Sequence, residues 1–319
     1  MHTTPSAPPY IYLAPIRGLT DALFREVLFK HFAGFDAAVA PFINPQGASK
    51  YEDKMLYDVL HKNNQGVELI PQLLNTKPIH FLGLAQRLAG IGYTHINWNL
   101  GCPAPMIAKK KRGSGLLPYP DEIIELLEYV IPRLDIELSI KTRLGYYEQA
   151  EIEALLPRLN DFPLKEIIIH ARLGKQLYTG VTSPDGFQKC LTISDHTFTY
   201  NGDINDLSIY TALKQTFPEI NRWMIGRGAL GNPLIAEEIK GICTDSDEQK
   251  KVRLQGFHDE LLSRYKTRLS GPSHILGRLK QLWAHMITSF PGKEKLLKKI
   301  LKTRTLESYQ LVVDQIFSA

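Results

Sequence analysis

The stretch THINWNLGCPAPMIAKKKRGSGLLPYPDEIIELLEYVIPRLDIELSIKTRL, residues 94–144, contains one complete strand–helix–strand unit. Its first run (94–101) and its last run (137–144) are apolar on both faces through most of their length, as buried parallel strands are. Between them, residues 121–134 have the apolar spacing of an amphipathic helix. This order predicts a parallel β/α unit.

The same alternation extends along most of the chain. Eight apolar runs occur, IYLAPI (11–16), FDAAVAPF (35–42), VELIPQLL (67–74), THINWNLG (94–101), ELSIKTRL (137–144), EIIIHARL (166–173), HTFTYNGD (196–203) and RWMIGRGA (222–229). Helical patterns fall between most of them, the clearest at 21–32, 79–92, 121–134 and 206–217. Eight such units predict a TIM (β/α)8 barrel. A doubly wound open sheet is the rival, but it would place a glycine-rich phosphate loop after the first strand, where this chain has LAPIRGLTD.

From about residue 245 the strand signal stops. Four amphipathic helices are predicted instead, at 250–269, 275–290, 293–304 and 305–317. We therefore expect a barrel domain at 1–244 and a small all-helical domain at 245–319. The second segment holds 14 Lys and Arg against 8 Asp and Glu, which gives it a net charge of +6. Because the whole chain has a net charge of +5, the first segment has a net charge of −1. A basic helical region suggests a polyanionic partner, with a solvated helix face as the alternative.

Composition excludes several classes of protein. With 44% hydrophobic and 22% charged residues, the chain should have a sizeable core. No apolar run reaches the ~18 residues of a membrane helix, and the first ten residues lack the layout of a signal peptide. Cys102, Cys190 and Cys243 lie far apart, so we expect no metal cluster and no disulfide framework. The expected location is the cytoplasm.

Polar residues or glycines stand where each apolar run ends. The candidates are Ala14, Pro15 and Ile16, Gln72, Asn99 and Cys102, Lys141 and Arg143, His170 and Arg172, Asn201, Gly202 and Asp203, and Gly226 and Arg227. Any one of them could be structural, because strands must become polar somewhere. Since a TIM barrel carries its active site at the carboxyl ends of the strands, the set together predicts a site there.

Two glycine-containing loops indicate a phosphate site. GRGALG (226–231) matches G-x-G-x-x-G, but it follows the last strand, so no dinucleotide fold can be built around it. The last two βα loops of a TIM barrel often bind phosphate, and here they hold NGD (201–203) and IGRG (225–228). Backbone N–H groups and Arg227 suit phosphate oxygens. We expect a phosphorylated cofactor, with FMN the common choice; tight turns alone are the alternative.

Three further features point to chemistry. A lysine at a barrel mouth, Lys141, is costly unless it meets an anion or an electron-rich ring. His170 could donate to a phosphate or to a substrate carbonyl, although a single strand histidine is usually structural. Cys102 lies in a Gly-Cys-Pro turn, where a thiol can deliver a proton. The cation run 109–112 (Lys109, Lys110, Lys111 and Arg112) follows in the same loop and suggests a phosphate ligand, with a solvated loop as the alternative.

These motifs, taken in order, resemble the tRNA-dihydrouridine synthases. The matching stretches are LAPIRGLTD, PQLL (71–74), NWNLGCP with a following GSGLL, IKTRLG, IIIHAR, YNGDI and MIGRGALGNP. The resemblance covers the whole chain. RLKQLW (278–283), with Arg278 and Lys280, resembles the helical-domain signature of the bacterial branch that acts near position 16 of tRNA.

The resemblance implies an FMN reduced by NADPH in the barrel mouth. Ala14, Pro15 and Ile16 would contact the isoalloxazine through backbone groups, Gln72 and Lys141 its pyrimidine edge, and His170, Asn201, Gly202, Asp203, Gly226 and Arg227 the ribityl phosphate. A flipped-out uridine would receive hydride at C6 and a proton from Cys102 at C5. Asn99 would hold the uracil edge, and Arg143, Arg172, the cation run, Arg278 and Lys280 would bind tRNA. We expect a monomer.

The chain also departs from the family pattern. Ile16 replaces the usual Met, Arg17 the usual Glu, and Leu173 the usual Thr, and the cation run replaces small residues. These changes leave open which uridine is modified and whether the RNA is tRNA. The alternatives are an FMN barrel acting on a small molecule, of the dihydroorotate or enoate type, and a non-catalytic RNA-binding barrel.

Overall fold

Nine short parallel strands form a single sheet in the computed structural model, which describes residues 7–44 and 53–318. The strands are Tyr10–Leu13 (β1), Ala37–Val39 (β2), Leu69–Ile70 (β3), Gln72–Leu73 (β4), His95–Leu100 (β5), Glu137–Arg143 (β6), Ile167–His170 (β7), Phe198–Asn201 (β8) and Arg222–Ile225 (β9). Their order in the sheet is β3-β2-β1-β9-β8-β7-β6-β5-β4. Each of the eight predicted apolar runs contains a strand, and the third contains two.

The two ends of the sheet meet at Pro71, which separates β3 from β4. Proline has no N–H to give to a ladder, so the run is interrupted there. The Pro71 carbonyl still accepts from Asn97 at 2.9 Å, while Ile43, just beyond β2, exchanges bonds of 2.8 and 2.9 Å with Gln72 and Leu74. These contacts close the sheet into a barrel. The predicted TIM barrel is confirmed.

Helices cover the outside of the barrel. They are Ala22–His31 (α1), Asp53–Leu56 (α2), Pro78–Gly90 (α3), Pro105–Ala108 (α4), Pro120–Val130 (α5), Ala150–Leu159 (α6), Pro184–Ile193 (α7), Leu207–Thr216 (α8), Arg227–Gly231 (α9) and Ile235–Lys240 (α10). The four clearest predicted helices correspond to α1, α3, α5 and α8. Side chains such as Leu84, Leu127 and Leu155 on the inner helix faces are fully buried against the strands.

The barrel interior combines a small apolar cluster with a polar layer. Tyr12, Val39, Ile168 and Met224 are buried inside the barrel. The polar layer includes Asn97, whose Nδ2 donates to Ser139 Oγ at 2.8 Å. Buried polar groups are tolerated when they are hydrogen-bonded, and this layer lies directly below the carboxyl ends of β5 and β6.

The C-terminal region is entirely helical within its described residues. Its helices are Asp247–Arg268 (α11), Pro272–Met286 (α12), Glu294–Lys302 (α13) and Leu306–Phe317 (α14). The helical appendage predicted from the sequence is confirmed. No helix in residues 7–44 or 53–318 is both long and apolar enough to cross a bilayer.

The helical region docks on the barrel mainly through α11 and α1. Phe257 is fully buried, with its ring centroid 5.7 Å from that of Phe24 and 5.3 Å from that of Phe32. Ion pairs border this contact, including Arg264 with Glu26 at 2.8 Å. Apolar burial therefore fixes the helical region beside the barrel, and the ion pairs set its orientation.

Candidate active site

A cavity of about 540 Å³ opens at the carboxyl ends of the strands. Its lining contains 14 of the residues singled out in the sequence, which are Ala14, Pro15, Ile16, Gln72, Asn99, Cys102, Lys141, Arg143, His170, Asn201, Gly202, Asp203, Gly226 and Arg227. They come from distant parts of the chain and from seven of the nine strands or the loops that follow them. The strand-end argument thus located one site. We call this space the central cavity.

Hydrogen bonds hold both the backbone N–H and the backbone carbonyl of Cys102. The Asn99 side chain accepts from the Cys102 N–H at 2.8 Å and from the Gly101 N–H at 3.0 Å. The Cys102 carbonyl accepts from the Ser114 N–H at 3.0 Å and from Ser114 Oγ at 3.1 Å. A Cβ on Gly113 would come within 2.5 Å of that carbonyl oxygen, so only glycine fits there. The GSG segment (113–115) fixes the cysteine loop.

Burial raises the pKa of the Cys102 thiol, although a backbone hydrogen bond and the charges of Arg143, Arg17 and Lys141 oppose the shift. The thiol therefore keeps its proton at neutral pH. A nucleophilic cysteine needs the thiolate, whereas a proton donor needs the thiol. The environment of Cys102 favours the second role.

A chain of amide side chains supports this loop from inside the barrel. Asn99 Nδ2 donates to Gln72 Oε1 at 2.7 Å, and Gln72 Nε2 donates to Asn97 Oδ1 at 2.7 Å. The side-chain oxygen of Asn99 thus binds the cysteine loop, and its side-chain nitrogen binds Gln72 on β4. Its orientation is fixed before any ligand arrives, and one N–H of its amide group remains for a ligand in the central cavity.

Lys141 carries a perturbed ammonium group. Its Nζ donates to Asn201 Oδ1 at 2.8 Å, and Asn201 Nδ2 donates to the Met224 carbonyl at 2.8 Å. Burial, with a smaller contribution from Arg143, lowers the pKa of Lys141 to about 7. Within residues 7–44 and 53–318 no carboxylate pairs with this ammonium group, so an anion or an electron-rich group in the cavity would stabilise it.

His170 is neutral. Burial lowers its pKa well below the ordinary value, and the charges of Arg143, Lys141, Arg172 and Arg227 add to the shift. Arg172 Nη1 lies 3.1 Å from His170 Nε2. Because arginine can only donate, Nε2 must be the acceptor, and the ring proton is on Nδ1. His170 can therefore donate one hydrogen bond to a ligand.

Asp203 organises the far side of the cavity. Its carboxylate pairs with Arg172, and Arg227 Nη2 donates to its Oδ1 at 2.7 Å. The two guanidinium groups hold the pKa of Asp203 below its ordinary value against the opposing effect of burial. Arg172 also donates to the Gly180 carbonyl at 2.8 Å. Arg172 lies behind the site as a support for Asp203 and does not line the central cavity.

The loops after β8 and β9 approach each other too closely for side chains. A Cβ on Gly228 would lie 2.0 Å from the Ile204 carbonyl oxygen. Gly202 has φ +148, and a Cβ there would lie 2.8 Å from Thr182 Cγ2. Gly202 and Gly228 are therefore required by loop packing, whereas a Cβ on Gly226 would meet nothing closer than 3.4 Å. They also leave backbone N–H groups accessible at the cavity wall.

The Ala14–Ile16 segment turns its apolar surface to the cavity. The Ala14 N–H donates to the Ile225 carbonyl at 2.8 Å, and the Ile16 N–H donates to Thr20 Oγ1 at 2.8 Å. Pro15 has no N–H. The backbone donors of this segment are thus already used, so a flat ring would meet mainly carbon atoms.

The cation run divides into two pairs. Lys111 pairs with Glu122 at 2.6 Å and lies 3.8 Å from the centroid of the Tyr119 ring, while Arg112 donates to Asn44 Oδ1 at 3.2 Å. Lys109 and Lys110 are exposed after the short helix α4. None of the four lines the central cavity, but Ile107, two residues before Lys109, does.

Arg278 and Lys280 make contacts within the protein. Arg278 donates to the Gly18 carbonyl and lies 3.6 Å from Asp21, so it ties α12 to the loop after β1. Lys280 donates to the Leu301 carbonyl at 3.1 Å and to the Thr303 carbonyl, at the end of α13. Lys280 lies within the helical region and is not part of the cavity wall.

Several lining residues were not predicted. Tyr178 lies at the mouth, with Arg143 at 5.3 Å and Arg227 at 5.9 Å from its ring centroid. Arg17, Phe42 and His285 also line the cavity. Tyr178 follows β7 by eight residues and His285 comes from α12, so an inspection limited to strand ends could not find them.

A second cavity of about 1070 Å³ lies between the loops after β7, β8 and β9 and the helical region. It shares Asp203, Arg227 and His285 with the central cavity. Its charges are mixed, because Lys250 pairs with Glu238 at 2.9 Å and the lining also includes Asp247. This second cavity therefore has no strong preference for anions.

One group of metal-type ligands occurs in the described residues, formed by Glu237, Cys243 and Asp245 within 4.8 Å of one another. Arg253 pairs with Glu237 at 2.7 Å and also with Asp245. Glu237 and Asp245 share the Arg253 guanidinium, and Glu237 also accepts from the Ala33 N–H at 2.7 Å, in the segment that leads into β2. The cluster reads as an ion-pair network between α10 and α11.

Solved structures with a similar fold are barrel enzymes. The chain matches histamine dehydrogenase from Rhizobium sp. 4-9 with a TM-score of 0.53 at 11% identity, over 78% of this chain and 48% of that one. It matches the old yellow enzyme homologue from Zymomonas mobilis with a TM-score of 0.52 at 9% identity, over 74% and 90%. At these identities the likeness concerns the fold.

Sequence comparison is more specific. A probable tRNA-dihydrouridine synthase of Staphylococcus aureus (strain COL) is 25% identical, over 96% of this chain and 93% of its own length. The tRNA-dihydrouridine synthase B of Proteus vulgaris is 30% identical, over 71% and 69%. The family model for dihydrouridine synthase (Dus) matches residues 12–309, which include the barrel and most of the helical region. The chain belongs to the dihydrouridine synthase family.

Proposed function

We propose that this protein is an FMN-dependent, NADPH-driven reductase of the C5=C6 bond of one uridine in the D-loop of tRNA. The observation that carries the proposal is the setting of Cys102. Its thiol is protonated, its backbone N–H and carbonyl are both hydrogen-bonded, and it lines the same cavity as Lys141 and the two glycine loops. A small-molecule flavoenzyme would not need the basic helical region, and family membership favours RNA as substrate.

The central cavity fits a flavin mononucleotide. Its volume of about 540 Å³ lies within the range of small-molecule sites. Ala14, Pro15 and Ile16 offer an apolar surface for the ring system. Gln72 and Lys141 would face the pyrimidine edge. The chain end of the cofactor would lie at His170, Asn201, Gly202, Asp203, Gly226 and Arg227, where glycine N–H groups and one arginine suit a phosphate.

Asp203 contributes to this phosphate site indirectly. Its carboxylate would repel a phosphate in direct contact, but it holds Arg227 from one side and Arg172 from the other. Arg227 would thereby be oriented before the ligand binds, which lowers the entropic cost of binding. We assign Asp203 a positioning role and Arg227 the direct contact.

A reduced flavin, once bound in the central cavity, would supply the hydride for C6 of the uracil. Cys102 holds a proton that it can deliver to C5, because its raised pKa keeps the thiol protonated. Asn99 fixes the thiol loop and would donate its remaining amide N–H to the uracil edge. Arg143, which donates to the Gly101 carbonyl at 3.0 Å, connects the cysteine loop to β6 and would lie near the same base.

The uridine must leave its stack to reach the cavity, since a base within folded RNA cannot approach the half-buried thiol inside it. We assign residues 1–244 as the catalytic domain and 245–319 as a domain that binds tRNA. The basic charge of the second segment and the position of Arg278 beside the loop after β1 support this division. We expect a cytoplasmic monomer, and leave the modified position to experiment.

Dihydrouridine mapping tests the proposal. RNA from cells with and without this gene is compared at nucleotide resolution across tRNA and rRNA. Loss of one D-loop site on deletion supports the function and identifies the position. Loss of an rRNA site keeps the chemistry and changes the substrate. An unchanged map, with a yellow purified protein that oxidises NADPH, would contradict the proposal in favour of a small-molecule substrate.

A further inference from the structure

Three exposed cations lie on one side of the cavity mouth. Arg17 follows β1 and lines the central cavity, while Lys109 and Lys110 follow α4 in the loop after β5. We call these three residues the cationic rim. In residues 7–44 and 53–318, none of the three has an ion pair with a carboxylate. Their charges are therefore available to a ligand.

The loops that carry the rim are joined to one another. The Arg17 guanidinium lies 5.7 Å from the centroid of the Phe42 ring, and both residues line the cavity. Asn44, two residues further, accepts from Arg112 at 3.2 Å, and Arg112 follows Lys110 by two residues. The loops after β1, β2 and β5 thus form one connected edge of the mouth.

The opposite edge differs in charge. There Arg172 and Arg227 pair with Asp203, and Lys250 pairs with Glu238. A polyanion crossing the mouth would find cations already paired with carboxylates on that side and unpaired cations at the rim. The difference between the two edges therefore predicts that a polyanionic strand crosses the mouth along the cationic rim.

We propose that the cationic rim binds the backbone of the RNA at the flipped uridine, with Arg17 contacting the phosphodiester next to that nucleotide and Lys109 and Lys110 the phosphates that follow. This inference rests on the proposed function. Arg17 suits the nearer position because it borders the cavity itself. Stacking on Phe42 restricts its guanidinium, and a planar fork matches two phosphate oxygens at once.

The test compares Arg17→Ala with Arg133→Ala. Arg133 is a matched control, because it too is exposed and stacks on an aromatic ring, at 4.4 Å from the Tyr129 centroid, but it precedes β6 at the opposite end of the barrel. Binding of full-length tRNA from cells lacking this gene is measured from low to high KCl, together with FMN content, kcat and KM.

For Arg17→Ala we expect roughly tenfold weaker binding, because one charge-assisted hydrogen-bond pair is lost. The slope of log Kd against log salt should fall by about 1. KM should rise while kcat stays within about twofold of the wild-type value, and FMN content should be unchanged. Arg17→Lys should restore the slope and part of the affinity, since it keeps the charge without the fork. Arg133→Ala should match the wild type.

Two results would overturn the inference while leaving the function intact. One is an active Arg17→Ala enzyme whose salt slope and KM equal those of Arg133→Ala. The other is a larger loss of binding in Lys251→Ala, which would move the RNA to the second cavity. If the wild-type enzyme reduces no uridine in this tRNA, the proposed function fails and the inference fails with it.

Discussion

The two edges of the cavity mouth use the same residue types for opposite purposes. On the edge formed by the loops after β7, β8 and β9, Arg172 and Arg227 both pair with Asp203, and Gly228 packs directly on a neighbouring carbonyl. On the edge formed by the loops after β1, β2 and β5, Arg17 and Lys109 are exposed. Charges that are paired within the protein maintain a shape, whereas exposed charges are free to bind a partner. The comparison separates a preformed cofactor wall from a surface for a polyanion.

The largest effect should come from Cys102→Ala. The variant should retain FMN and lose roughly 10²- to 10⁴-fold in tRNA turnover, because it removes the general acid but no cofactor contact that we assign. Single-turnover reduction of tRNA by the NADPH-reduced enzyme measures this step. Cys243→Ala is the matched control, since Cys243 is a half-buried cysteine outside the cavity. Equal turnover in both variants would remove Cys102 from the role of acid.

Gly228→Ala tests the cofactor wall. The added Cβ would lie 2.0 Å from the Ile204 carbonyl, so we expect destabilisation by roughly 3 kcal/mol and loss of FMN. Gly277→Ala, inside α12 with no atom within 4 Å, should instead stabilise the protein by about 0.5 to 1 kcal/mol. Urea unfolding and flavin absorbance report both effects. A Gly228→Ala protein with normal stability and normal FMN content would contradict the close packing of the two loops.

Lys141 gives a prediction about pH. In the ligand-free protein its pKa is about 7, against 10.5 ordinarily, and contact with an anionic ligand should raise it. FMN affinity should therefore be flat below pH 7 and fall above it, by at most about tenfold per pH unit, as free Lys141 loses its proton. Isothermal titration in buffers of different ionisation heat should show proton uptake. In Lys141→Arg both the decline and the uptake should disappear, and their persistence would assign them to another group.

The smallest expected effect concerns Ser114. Ser114→Ala removes the 3.1 Å bond from Oγ to the Cys102 carbonyl but keeps the 3.0 Å bond from its N–H. We expect about 1 kcal/mol lower stability and turnover reduced a few-fold. Thr192→Ala, which removes an exposed hydroxyl from α7, serves as the control for stability and should leave turnover unchanged. A loss as large as that of Cys102→Ala would mean that Ser114 acts directly in the reaction.

The barrel could be predicted because buried parallel strands are apolar on both faces, and each of the eight runs shows this. The interruption of the third run at Pro71 could have been predicted, because proline has no N–H to donate to a neighbouring strand. The helices α6 and α7 were not among the clearest patterns, since α6 contains Pro157 and α7 contains Gly186. Local spacing is weakest where such residues interrupt it.

Residues at strand ends could be predicted to line one cavity, whereas the lining residues from other parts of the chain could not. Lys141, His170 and Cys102 converge because the topology of a barrel guarantees it. The partners of a cation, however, depend on which carboxylates and carbonyls the fold brings near. Sequence could not reveal that Lys111 is paired with Glu122 or that Lys280 binds the carbonyls that end α13. Tyr178 and His285 were not predicted for a related reason, because they reach the cavity from positions distant from any strand end.

The docking of Phe257 between Phe24 and Phe32 has a consequence for attempts to exchange parts between relatives. A chimera that receives a foreign C-terminal region would inherit an α11 surface shaped for a different α1, with a cavity or a clash where the three rings now meet. Recombination at residue 245 alone should therefore yield insoluble or unfolded protein. Moving α1 together with the helical region would transfer both halves of the aromatic contact, so the practical unit of exchange in this chain is discontinuous.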